Sequence, residues 1–163
     1  MNAETVINAA KFAWDIIKDG KPSAEIGDST ANAVPDVSDW LSLTDTRGPN
    51  VRRMSYHVAF VWPFDDYVHA EFGIQLKWQF GARYKAGGAF IPNLWIEVPN
   101  CFVAYGWDAH IGITARHPTN VGQPGAPLAA LPVTIKGTVS SPLETYHVEW
   151  GFVAYGNGAI DQG

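Results

Sequence analysis

From Val68 to Tyr84 the chain alternates without a break. Every even position is apolar (Val68, Ala70, Phe72, Ile74, Leu76, Trp78, Phe80, Ala82, Tyr84), and every odd position between them is polar or glycine. Successive side chains of a strand point to opposite faces, so this stretch reads as a strand with one face on a core and one in water. The same period returns at Met54–Trp62, Trp107–Ala115, Leu131–Val139 and Tyr146–Ala154, with shorter runs near Leu94–Val98 and Cys101–Tyr105. Such a series predicts an antiparallel β-sandwich, with strands across residues 50–160. Fully extended at about 3.3 Å per residue, Val68–Tyr84 would reach roughly 55 Å, so a bend at Gly73 or Gly81 is expected.

The N-terminus has a different period. In AETVINAAKFAWDIIK, at 100° per residue, Glu4, Asn8, Lys11, Asp15 and Lys18 share an arc of about 80°, and Val6, Ile7, Ala9, Ala10, Ala13, Trp14, Ile16 and Ile17 share the opposite half. Asn2 fits an N-cap, and Gly20 and Pro22 fit a stop. One amphipathic helix is predicted over Ala3–Lys18, docked on a sheet by its apolar half. The expected fold is therefore mainly β: a single domain over residues 1–163, an antiparallel sandwich with one N-terminal helix in residues 1–20.

The chain has 163 residues, of which 47% are hydrophobic and 13% aromatic, enough for one packed core with aromatics left for a surface. The net charge of −5 is uneven. Residues 1–46 hold 3 basic and 8 acidic groups, and residues 47–136 hold 8 basic and 5 acidic. The basic groups of the middle are scattered from Arg47 to Lys136, which is no footprint for nucleic acid. A single Cys101 excludes a disulfide framework and a cysteine-based zinc site. The first residues lack the basic-then-apolar order of a signal peptide, so secretion or release without such a signal is expected.

The pentapeptide FVAYG occurs at Phe102–Gly106 and Phe152–Gly156. The flanks do not match, so the pair reads as two strand ends of shared composition rather than a duplicated module. No nucleophile elbow, phosphate-binding loop or zinc-protease motif is present. Of the five histidines, His57 and His147 sit in Tyr-His-Val triplets that would bring them together if their strands met across a sheet, but no third ligand stands at readable spacing. Asp65 and Asp66 read as solvated turn residues rather than catalytic carboxylates. The expectation is a protein that is not an enzyme and takes no cofactor or metal.

The aromatics are the unusual feature. In VWPFDDY, Trp62, Phe64 and Tyr67 surround Pro63 and an Asp-Asp pair between two long strands. The rings either fold back as a lid or form an exposed tip that enters a membrane interface or stacks on a sugar or choline head group. Trp95, in PNLWIEVPN, faces the same choice.

An N-terminal amphipathic helix before a sandwich of this length, with VAFVWPFDDY at a strand end, resembles the actinoporin-like cytolysins. The resemblance implies head-group contacts by Trp62, Phe64 and Tyr67, and a helix carrying Val6, Ile7, Trp14 and Ile17 that detaches to line a pore. The acidic charge is closer to the aegerolysins, which have a related sandwich, lack such a helix and often act beside a second, pore-forming protein. The functional expectation is a membrane-binding, cytolytic protein or one component of a two-part toxin, acting on a target-cell lipid or glycan. A soluble lectin that uses the same aromatics is the alternative.

Overall fold

A computed structural model describes residues 5–6, 11–18, 21–22, 31–35, 40–62 and 65–162. Its strands are β1 (Thr5–Val6), β2 (Lys11–Lys18), β3 (Lys21–Pro22), β4 (Ala31–Pro35), β5 (Leu43–Thr44), β6 (Arg47–Trp62) and β7 (Asp65–Phe80). They continue with β8 (Ala82–Tyr84), β9 (Gly87–Val103), β10 (Asp108–Ala115), β11 (Thr119–Asn120), β12 (Ala129–Ser140), β13 (Thr145–Tyr155) and β14 (Ile160–Gln162). One sheet runs β1-β4-β9-β7-β6 and carries β5 and β8 beside it. The other runs β14-β13-β12-β10-β2-β3, with β11 on β12. Every strand pair is antiparallel, as the alternation requires.

The two sheets bury the faces that the period-two pattern marks. Phe72, Ile74, Leu76 and Trp78 of β7 are buried with Leu94 and Ile96 of β9. They meet Ile111 and Ile113 of β10, Leu131, Val133, Ile135 and Val139 of β12, and Phe152 of β13 in one cluster. Glu71 and Arg83 are exposed, and Lys77 is half-buried beside Glu97. Gly137 of β12 leaves room for the Phe72 ring, since a Cβ there would sit 3.1 Å from its Cζ. The expected bend falls at Gly81, whose φ of 73° ends β7 and whose N–H donates to the Gly156 carbonyl at 2.7 Å.

The expected N-terminal helix is not found among the described residues. Lys11–Lys18 is a strand against β10, with Ile17 opposite Ala109 and Trp14 opposite Ile111. Val6 lies in the other sheet, opposite Val34. Ala3, Glu4 and Ile7–Ala10 lie outside the described residues. The physical reason is visible in KFAWDIIK, where Phe12, Trp14 and Ile16 alternate with Lys11, Ala13 and Asp15. This short segment satisfies both periods. Its aromatic and β-branched residues suit a strand, and β10 would otherwise be a long open edge. One additional residue of β2 is absorbed by a register shift between Ala109 and Ile111.

The two copies of FVAYG run off strands at opposite ends of the sandwich. Val103 closes β9 beside Ala70, and Tyr155 closes β13 beside Ala130. Ala130 is near the start of β12, far from the Ser140 end that the first copy approaches through Asp108.

Candidate membrane-facing end

The hairpin β6–β7 outruns its sheet. The last rung between β7 and β9 is Ala70 with Val103. The hairpin continues through Ala59–Val68, Phe60–Tyr67, Val61–Asp66 and Trp62–Asp65. Four rungs at about 3.3 Å make an arm of roughly 13 Å beyond the last rung with β9. Trp62 and Tyr67 are therefore on this arm, and Asp65 and Asp66 are strand residues at its outer end rather than turn residues. Phe64 lies outside the described residues.

A β-bulge marks the root of the arm. Val58 pairs with Ala70 and Ala59 with Val68, so β7 carries one extra residue, His69, at this point. The extra residue turns the His69 side chain inward, and only 8% of it is exposed. Its ring stacks on Trp107 at 4.3 Å, and Trp107 stacks on Tyr146 at 6.1 Å. The His69 carbonyl also accepts the Ala104 N–H at 2.8 Å. Three rings from β7, the β9–β10 turn and β13 thus tie both sheets together under the arm. His69 is not the solvated polar-face residue that strict alternation implies.

Two further loops reach the same end. Asp108, just after the β9–β10 turn, pairs with Ser140 on one side and Lys18 on the other. The β9–β10 turn, the β12–β13 loop and the short β2–β3 hairpin are therefore neighbours of one another, at the end where His69, Trp107 and Tyr146 stack. Trp107 N–H donates to the Ala104 carbonyl at 3.1 Å, and Gly106 takes a φ of 82°. That turn puts Tyr105 at its apex, 87% exposed. In the other loop the Ser141 hydroxyl accepts from the Leu143 and Glu144 N–H groups, both at 3.2 Å. Leu143 stands at its apex, 93% exposed. Phe102, 51% exposed, pairs with Glu71 near the end of β9. Single exposed apolar residues need no explanation, but Tyr105 and Leu143 are the apices of two turns at one end of the sandwich.

The sequence did not single out Tyr105 or Leu143. The signals were present: Tyr105 precedes a turn glycine, and Leu143 sits in SSPLE between two strands, where a polar residue is usual.

Trp95 is elsewhere. It pairs with Lys77, twelve positions along β7 from Asp65, which is about 40 Å at 3.3 Å per residue. Its indole N–H donates to Glu97 Oε1 at 3.2 Å, and Lys77 Nζ bonds Glu97 Oε2 at 2.6 Å. The Lys77 ammonium first, and then the indole N–H, hold the Glu97 carboxyl below the usual carboxylate range. Trp95 is thus a half-buried partner in a polar cluster on the outer face of the first sheet, remote from the arm. Trp14 and Ile17 are in β2 of the second sheet and Val6 is in β1 of the first, while Ile7 lies outside the described residues.

The two Tyr-His-Val histidines do not meet. His57 stands 3.8 Å from Glu71 in one sheet, and His147 stands 3.2 Å from the Thr138 hydroxyl in the other. Among the described residues no group of three or more His, Cys, Asp and Glu side chains is placed to hold a metal. Burial pushes the Cys101 thiol up to about 11, which makes it a poor nucleophile at neutral pH. No family model, curated protein or solved structure matches this chain.

Proposed function

We propose that this protein binds membranes through the arm end of its sandwich and acts there as a cytolysin, alone or as the docking half of a two-part toxin. The observation that supports this most is the convergence at one end of the Ala59–Val68 arm with the exposed apices Tyr105 and Leu143. Tyr105 and the arm residues Trp62 and Tyr67 are of the types that settle at the head-group level, with an apolar body and a polar tip.

Size limits what the arm does. At roughly 13 Å it enters the interface but does not cross a hydrocarbon core about 30 Å thick. A pore needs a longer element. Residues Ala3–Lys18, released from β4 and β10, would form a helix of about 24 Å that approaches that thickness without equalling it, with the apolar half carrying Val6, Ile7, Trp14 and Ile17 toward lipid. In this reading KFAWDIIK is a strand in the free protein and an amphipathic helix at the membrane. What is kept of the actinoporin-like resemblance is the aromatic tract at a strand end and this release.

The test is vesicle flotation with dye release on phosphocholine vesicles, comparing the wild type with Tyr105→Ser/Leu143→Ser. Two apolar side chains withdrawn from a partly apolar environment forfeit about 3 kcal/mol together, or roughly a hundredfold in binding. Unchanged flotation refutes the membrane face. Binding without release supports the docking half, and glycan binding without any lipid binding supports a lectin.

A further inference from the structure

We infer that a second copy of this chain pairs along one flank of the sandwich, β6 of each copy against β13 of the other. In the first sheet β6 is the end of the strand order, and among the described residues it pairs with β7 alone. In the second sheet β14 covers only Phe152–Ala154 of β13, so among the described residues Thr145–Gly151 is also an open edge. A long open edge is a template for another strand.

The two open edges lie on the same flank. Tyr56 meets Trp150 edge-on at 6.3 Å, the Arg52 guanidinium lies 5.9 Å from the Phe152 ring centre, and Asn50 Nδ2 donates to the Gly158 carbonyl at 2.8 Å. These contacts show that β6 runs from 50 to 56 while the chain opposite runs back from the turn at Gly158 to Trp150 of β13. The strands are antiparallel in neighbouring layers. Between them Met54, Tyr56, Val148 and Trp150 are only partly buried, an apolar seam along the flank.

A two-fold axis parallel to the strands exchanges the layers without reversing them. Each β6 then meets the other copy's β13 antiparallel, each sheet continues into the other, and seam covers seam. Charge selects this arrangement. Asn50–Val58 carries Arg52 and Arg53 and no acid, whereas Thr145–Gly151 carries Glu149 and no Lys or Arg. The other axis, perpendicular to the strands, would pair β6 with β6 and set Arg52 and Arg53 against their own copies, which is unfavourable directly across a ladder. The chosen axis also points both arms the same way, so a dimer presents two docking ends to one membrane. That last consequence rests on the proposed membrane function, but the dimer itself rests on the edges alone.

Sedimentation equilibrium of the full chain in lipid-free buffer tests the dimer separately from membrane binding. The expected result is a monomer–dimer equilibrium, with β6 amides at Asn50–Val58 exchanging more slowly as concentration rises. Arg53→Glu and Glu149→Lys should each weaken association by roughly tenfold, because each brings like charges together twice in a two-fold interface. Combining them should restore it. Far-UV circular dichroism checks that both exposed-site variants fold. A strictly monomeric protein overturns the inference. So does a dimer that both single variants leave at wild-type strength, which is the signature of β6 on β6.

Discussion

Trp107 and Tyr105 stand two positions apart in one turn, and opposite consequences follow from removing them. Trp107 lies between His69 and Tyr146, at 4.3 and 6.1 Å between ring centres. Aromatic pairs contribute about 0.5–1.5 kcal/mol each beyond area burial, so two pairs amount to about 1–3 kcal/mol. Trp107 is half-buried, so its truncation falls below the range for a fully buried Trp. We expect Trp107→Ala to cost about 2–3 kcal/mol by urea unfolding, and Tyr105→Ala to stay within about 1 kcal/mol. Trp107→Leu, which keeps most of the apolar volume but not the ring, should recover only part of the loss. Because the stack sits at the bulge, hydrogen exchange in Ala59–Val68 should rise in Trp107→Ala and be unaltered in Tyr105→Ala. If Trp107→Ala unfolds with the wild type and leaves the arm's exchange unchanged, the stack does not anchor the arm.

Two other expectations follow from packing and burial. Leu76, fully buried on β7, should cost about 2–5 kcal/mol on truncation to Ala, measured by chemical unfolding, and a neutral result would place the core elsewhere. Cys101 has its folded value raised from 9.0 to about 11, so the unfolded thiol loses its proton first. Stability from this group is complete below about 9 and falls as pH rises toward 11. Unfolding scans of wild type and Cys101→Ala should therefore differ increasingly across that window, and parallel curves would contradict the burial.

The core strands were legible because period two is a strong signal when one face is buried. Phe72 to Trp78 needed nothing beyond their own spacing. Three features were not legible, each for a local reason. KFAWDIIK fits two periods, and its pairing partner β10 lies far away in sequence. The bulge at His69 adds a residue without any glycine or proline to announce it, so the alternation appeared to run on to Val68. The apices Tyr105 and Leu143 are defined by where turns project, which depends on how β9, β10, β12 and β13 assemble. The aromatic arm was seen as a sequence feature, but its reach follows from where β9 stops pairing.

The central claim is that one end of the sandwich docks on a lipid surface. Single spin labels on Cys variants at positions 105, 143 and 121, in a background with Cys101 replaced by Ser, test it by depth-resolved electron paramagnetic resonance on phosphocholine vesicles. Val121, 53% exposed, follows β11 beside Leu128 at the opposite end and serves as the reference. The account predicts immersion of labels 105 and 143 below the head groups and an aqueous label at 121. Immersion of 121 with 105 and 143 in water, or all three in water on membrane-bound protein, would contradict it.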